Sequence, residues 1–196
     1  MDRHHRFATV AGVLAVLSLA WLQFDATRAA FEMLGLSRSG ALALVMGCLA
    51  GSTIDVPIRR LAETGTLLAV NVGGCVIPVL MAGWVVGRAG LGVGEIVAAT
   101  ALVALASWRF SRVEPGLGVT MRGFVAPLAA LAAASIVDLD ALAPLAYVSG
   151  TAGVLVGADL LRLREAARSG ALALSIGGAG TRDGIFLAGV IAVLIA

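Results

Sequence analysis

Long apolar runs, separated by short segments that carry most of the charges, constrain this chain more than any other feature. Hydrophobic residues make up 60% of the chain and charged residues only 13%, whereas a soluble domain carries roughly 25% charged residues. The chain therefore has too little polar surface to face water. Because helices satisfy their own backbone polar groups inside lipid, the pattern predicts a helical integral membrane protein.

The length of the chain limits the number of membrane crossings. A helical span takes ~20 residues, so 196 residues allow about seven spans joined by short loops. We predict a single all-α, multi-pass transmembrane bundle over residues 1–196. Residues 25–39 alternate apolar and charged positions, which predicts a short helix lying in the membrane interface. The predicted spans are residues 7–23, 40–58, 66–86, 93–108, 119–137, 143–161 and 184–196.

The arginines predict how the bundle is oriented. All fourteen basic residues are arginines. With seven spans and a cytoplasmic N-terminus, ten arginines lie on the cytoplasmic side, only Arg28, Arg38 and Arg88 lie outside, and the fourteenth, Arg182, lies within the last segment. This distribution is the positive-inside pattern, so we predict a protein of the cell (inner) membrane. No basic run is long enough to indicate a nucleic-acid partner, and the lipid bilayer is the predicted environment.

Two segments carry signals that interrupt a membrane helix. The third predicted span contains Asn71, a Gly-Gly pair and Pro78, and a glycine-rich string occupies residues 175–183. Irregular backbone persists in a membrane only where protein or a water-filled cavity satisfies it. We therefore predict broken or re-entrant segments at both places. Alternating large and small residues over 172–176 permit a short strand before the last helix.

Two aspartates are the strongest candidates for a functional site, because ionisable groups within a membrane are costly and usually functional. Asp159 lies about one helical turn before an arginine-rich turn, and Asp183 follows the glycine-rich string. The helix from Asp183 to Ala196 is about 20 Å long, against a hydrocarbon core of ~30 Å. Both aspartates are therefore predicted in the cytoplasmic half of the membrane.

Each candidate residue also has a purely structural interpretation. Asp159 could pair with Arg162 or Arg164 at the membrane interface. Asp183 could cap the final helix, whose free N–H groups and dipole favour a carboxylate. Asn71 could serve as an amide that bridges helices. No metal and no cofactor is predicted.

Several segments together resemble a known family. They are residues 51–57 (GSTIDVP), 69–78 (AVNVGGCVIP), 143–150 (APLAYVSG), 157–159 (GAD) and 175–186 (SIGGAGTRDGIF). In these segments the chain resembles an uncharacterised prokaryotic membrane family, domain-of-unknown-function family 1614, over roughly residues 40–196. The resemblance implies a multi-pass membrane protein and assigns no activity.

A second resemblance concerns the aspartates. Asp159 on one helix, and Asp183 at the glycine-preceded start of the next, resemble the presenilin and signal-peptide-peptidase type of intramembrane aspartyl protease. That resemblance implies a catalytic pair acting on a transmembrane peptide, with Gly178 and Gly180 offering open backbone to an extended substrate. The chain departs from the pattern because Arg182 precedes Asp183 directly and the family's Pro-Ala-Leu motif does not follow it.

These observations leave three functions open. In a protease, the two aspartates would share a proton and act as general base and general acid on a peptide carbonyl. In a small transporter or channel, the broken helix at Asn71 and the stretch Gly177–Asp183 would bind a small solute, with Arg182 contributing charge. In a membrane scaffold, the polar groups would only lock the packing of the helices.

Overall fold

The computed structural model describes residues 3–115 and 118–196, and this part of the chain is mostly helical. The first half contains α1 (Arg3–Met33), α2 (Arg38–Gly51), β1 (Asp55–Arg60), β2 (Leu67–Asn71), a π-helical turn (Val72–Val76), α3 (Ile77–Ala89) and α4 (Val93–Phe110). The second half contains β3 (Arg112–Glu114), β4 (Gly118–Thr120), α5 (Val125–Val137), α6 (Leu142–Val154), a π-helical turn (Leu155–Leu160), α7 (Leu163–Arg168), β5 (Ala173–Ile176), a 3₁₀ turn (Gly180–Arg182) and α8 (Gly184–Ile195).

Among the residues that the structure describes, three helical segments are long and apolar enough to cross a membrane. They are Val72–Ala89, Val93–Phe110 and Leu142–Arg168. Apolar but shorter helices are α2, α5 and α8, with 14, 13 and 12 residues. These segments indicate a membrane protein, in agreement with the composition.

The prediction of an all-α chain is wrong, because the described residues include two small sheets. The larger sheet has the strand order β1-β2-β5, with β1 antiparallel and β5 parallel to β2. Strands β3 and β4 form a separate antiparallel hairpin. Residues 55–58, predicted as the end of the second span, belong instead to β1, because Pro57 lacks a backbone N–H and disfavours helix in the residue before it. The short strand predicted near 172–176 is confirmed as β5.

The predicted interfacial helix over residues 25–39 is also wrong, because α1 continues through Met33. The charges there pair along the helix. Arg28 forms ion pairs with Asp25 and Glu32, each at 2.6 Å, and pairs at these spacings support a helix. The alternation of charged and apolar residues therefore belongs to one long helix.

Helix α6 lies at the centre of the packed helices. It contacts α3, α4, α5 and α8, and its Tyr147 is buried beside Phe31 of α1. Glycines bring α6 and α4 close together, since a Cβ on Gly153 would clash with the side chain of Val103. This packing holds fixed the end of α6, from which the candidate site is built.

Candidate active site

Asp159 lies in the π-helical turn that continues α6. Such turns occur frequently at functional sites. Within the same turn, Gly157 rests against the backbone of Ala104 on α4, so closely that a Cβ would overlap the carbonyl group. This contact fixes the backbone that carries Asp159. The Asp159 side chain is half-buried, and it accepts no hydrogen bond from the groups that the structure describes.

Pairing of Asp159 with a neighbouring arginine is not observed. The Arg162 guanidinium instead forms an ion pair with Glu165 at 2.6 Å. It also donates to the backbone carbonyl oxygens of Trp108 at 2.8 Å and Ser111 at 3.2 Å, at the end of α4. Arg162 therefore ties the turn after Asp159 to α4 and leaves the aspartate without this cation.

Asp183 is the N-cap residue of α8, which confirms its capping interpretation. One carboxylate oxygen accepts a hydrogen bond from the Ile185 N–H at 3.0 Å. The other accepts one from the Ala179 N–H at 3.4 Å. Hydrogen bonds of this kind favour the ionised carboxylate. The cap therefore holds Asp183 in place, and its hydrogen bonds offset part of the cost of burying the charge.

The fold brings Asp159 and Asp183 to the same cavity, which has a volume of about 530 Å³. Both aspartates also line a second cavity of about 260 Å³. Val119 of β4 and Ala179 line both cavities as well. The two carboxylates therefore lie at the boundary between adjoining cavities, where a water molecule and a substrate could both reach them.

The larger cavity runs along one edge of the three-stranded sheet. Strand β5 is an edge strand, paired with β2 on one side only. Residues 171–176 line the cavity together with the two aspartates. An unpaired strand edge presents backbone N–H and C=O groups to which an extended peptide can add as a further strand. The cavity thus combines two carboxylates with a binding edge for extended backbone.

The other predicted site residues of the glycine-rich string have different positions. Gly178 is exposed and lines the larger cavity. Gly180 is buried, has a φ of 63° and packs against Ser52, so it serves the loop's packing. Arg182 is exposed and lines the smaller cavity. Among the described residues it forms no ion pair within 4 Å, with Asp183 or with another carboxylate.

Asn71 lies at the junction of β2 and the π-helical turn and is completely buried. Its Nδ2 donates to the Ser52 carbonyl oxygen and to the Asp55 carboxylate, both at 3.0 Å. Its Oδ1 accepts from the Gly74 N–H at 2.8 Å. Every polar atom of this amide has a protein partner, so in this arrangement Asn71 joins segments of the fold.

Two serines that the sequence analysis did not single out complete this network. Ser175 on β5 donates to the Asp55 carboxylate at 2.5 Å. The Ser52 hydroxyl accepts from the Thr181 N–H at 3.1 Å. Together these bonds tie the glycine-rich string to α2 and β1. Both serines lie in segments 51–57 and 175–186, which carry the resemblance to a family. That position is the one feature of the sequence that could have marked them as candidates.

Comparison with known proteins identifies the family. The model of a family described as "Protein of unknown function (DUF1614)" matches residues 37–195. The chain belongs to this family. Asp159, Asp183 and the Asn71 network all lie within the matched residues of the DUF1614 domain. Searches of the curated proteins and of the solved structures found no match, so none of the comparisons supports the resemblance to presenilin-type proteases.

Replacing Asn71 with alanine is expected to lower the free energy of unfolding by about 3 kcal/mol, because it leaves the Gly74 N–H and the Ser52 carbonyl without partners. Chemical unfolding in detergent micelles, followed by circular dichroism, measures the loss. Gln23→Ala is the control, since Gln23 carries the same amide on the exposed part of α1 and its loss is expected to change stability by under about 0.5 kcal/mol. Equal stability of the two variants would contradict the assigned role of Asn71.

Proposed function

We propose that this protein is an intramembrane aspartyl peptidase that uses Asp159 and Asp183 to hydrolyse a peptide bond in a membrane-spanning substrate. One observation carries the proposal: Asp159, Asp183 and the residues of the edge strand β5 line a single cavity. Two neighbouring carboxylates and an extended-peptide site are the elements that aspartyl peptide hydrolysis requires.

The surroundings of the two aspartates support different roles for them. Asp183 accepts two backbone hydrogen bonds, which favour its ionised form, so it acts as the general base. Asp159 lies at the same cavity without a hydrogen-bond donor among the described residues. A carboxyl group in a poorly solvated site beside a carboxylate is most stable when protonated. Asp159 is therefore the general acid.

The reaction then balances without another group. Asp183 takes a proton from water as the water oxygen bonds to the peptide carbonyl carbon, and Asp159 gives its proton to the carbonyl oxygen. In the second step the carbon–nitrogen bond breaks, and the nitrogen takes the proton held by Asp183. Asp159 recovers its proton from a hydroxyl of the tetrahedral intermediate, which leaves a carboxylic acid and an amine.

The seven-span arrangement with a cytoplasmic N-terminus is part of the proposal. The positive-inside distribution of the arginines supports it. So do Arg162 and the neighbouring arginines of α7, which follow Asp159 directly and would lie at the cytoplasmic surface. The substrate would enter as a membrane helix, unwind near the cytoplasmic side and pair with β5 in extended form.

Cleavage of single-span substrates by the purified, reconstituted protein tests the proposal. A panel of apolar spans with cytoplasmic flanks would be incubated with wild type, Asp159→Asn and Asp183→Asn, and products identified by mass spectrometry. Cleavage by wild type alone, at a bond within the cytoplasmic half of a span, is expected. Cleavage that survives both substitutions would remove the aspartate pair as its cause.

Transport of a small solute is a second candidate, favoured by the meeting of the two interrupted segments. Gly74, in the turn before α3, packs directly against the backbone of Gly177 and Gly180. Irregular backbone at such a junction can form a solute or ion site. Flux in proteoliposomes that is lost in Arg182→Gln, but kept in Asp159→Ala, would favour transport over peptide hydrolysis, since Arg182 is exposed at the smaller cavity.

A further inference from the structure

We propose that a pocket formed by Arg109, Arg112 and Arg122 binds the phosphate headgroup of an anionic phospholipid. The three arginines come from the end of α4, from β3 and from the segment between β4 and α5. They line one cavity of about 570 Å³. Among the described residues that line it, Glu114 is the one with a carboxylate side chain. The proposal concerns this pocket alone and does not depend on the peptidase reaction.

The charges of the pocket indicate an anionic ligand. Within residues 3–115 and 118–196, none of its three arginines forms an ion pair within 4 Å. In the same part of the chain other arginines, such as Arg182, also lack a carboxylate partner, and what distinguishes these three is that they line one cavity. Guanidinium groups that converge without a counter-ion repel one another, and phosphate oxygens satisfy them with charge-assisted hydrogen bonds.

The position and apolar lining of the pocket select a lipid over a free phosphate ion. Arg109 and Phe110 are the last residues of a segment apolar enough to cross a membrane. Such a segment ends at the level of the lipid headgroups. Phe110 is 57% exposed, and with Met121 and Val125 it gives the pocket an apolar wall. Basic pockets at the cytoplasmic ends of membrane helices bind acidic headgroups in this way.

Lipid retention in native mass spectrometry tests the proposal. Wild type in detergent micelles would be titrated with phosphatidylglycerol and, separately, with phosphatidylcholine. Phosphatidylglycerol is expected to bind at least about tenfold more tightly. The triple variant Arg109→Gln, Arg112→Gln, Arg122→Gln is expected to lose this preference. The control triple variant Arg59→Gln, Arg60→Gln, Arg164→Gln removes the same charge from exposed arginines outside the pocket and is expected to keep it.

Equal binding of the two lipids by wild type would overturn the proposal, and so would an equal loss of preference in both triple variants. Glycerophosphoglycerol, the same headgroup without acyl chains, is added as a competitor. If it displaces the lipid at equal concentration, the pocket is a site for soluble phosphate esters and the lipid assignment is wrong. Should the triple pocket variant fail to fold, the three single glutamine variants provide the test, each with an expected loss of about fivefold in affinity.

Discussion

Asparagine at either Asp159 or Asp183 is expected to lower kcat for peptide hydrolysis by at least about 10³-fold. Asparagine has nearly the shape of aspartate, so the helix cap and the cavity stay intact while proton transfer is lost. Because the two carboxylates act in one step, the double variant is expected to be no slower than the slower single variant. Single-turnover cleavage of a quenched-fluorescent peptide measures all three rates.

Asp140→Asn is the matched control for these rates. Asp140 is an exposed carboxylate just before α6, whereas Asp159 follows the other end of that helix. Asp140 does not line the cavity of Asp159, and its substitution is expected to leave kcat unchanged. Rate losses that multiply in the double variant would contradict a shared catalytic step, since residues that act independently give additive free energies.

Gly74→Ala is expected to destabilise the protein by about 4 kcal/mol or more, which is exceptional for a single substitution. A Cβ at this position would overlap the carbonyl oxygen of Gly177 and would approach the Cα of Gly180 to 2.9 Å. Both neighbours are backbone, which cannot rotate away as a side chain can. The glycine-rich string that leads to Asp183 would therefore have to separate from the π-helical turn before α3.

Gly83→Ala, in the middle of α3, is the matched control for this substitution. A Cβ on Gly83 meets no heavy atom within 4 Å, so the change is expected to be neutral or to stabilise the helix by up to about 1 kcal/mol. Unfolding midpoints of the two variants in detergent micelles, together with tryptic digestion rates, measure the difference. A Gly74→Ala variant as stable as Gly83→Ala would mean that the contact between Gly74 and the glycine-rich string is not required for stability.

Much of the helical fold follows from the sequence. The predicted spans over residues 93–108 and 184–196 agree closely with α4 and α8, since each has sharp polar or glycine boundaries. The sheet could not be predicted, because both β1 and β2 are short. Strand β2 also sits inside an apolar run and pairs with β5 from the far end of the chain. Apolar periodicity does not separate a short buried strand from a helix segment.

The candidate site was predictable in part. One apolar run closes at Asp159 and another opens after Asp183, and these positions marked both residues. The arginine-rich turn between them predicted that both lie on the same side of the membrane. Their arrival at one cavity depends on the glycine contacts that bring α6, the turn before α3 and the glycine-rich string together. The structural role of Asn71 depends on hydrogen bonds to Ser52, at the end of α2, and to Asp55 of β1. The position of Asn71 in the chain does not reveal these partners.

The most direct test of the aspartate pair is cleavage in water enriched in ¹⁸O. Purified protein in liposomes would be incubated with a single-span substrate, and the products would be analysed by mass spectrometry. The proposed mechanism predicts one ¹⁸O atom in the new carboxyl group from wild type, and no product from Asp159→Asn or Asp183→Asn. The proposed mechanism would be contradicted if wild type left every substrate of the panel intact. It would also be contradicted if either variant formed labelled product at the wild-type rate.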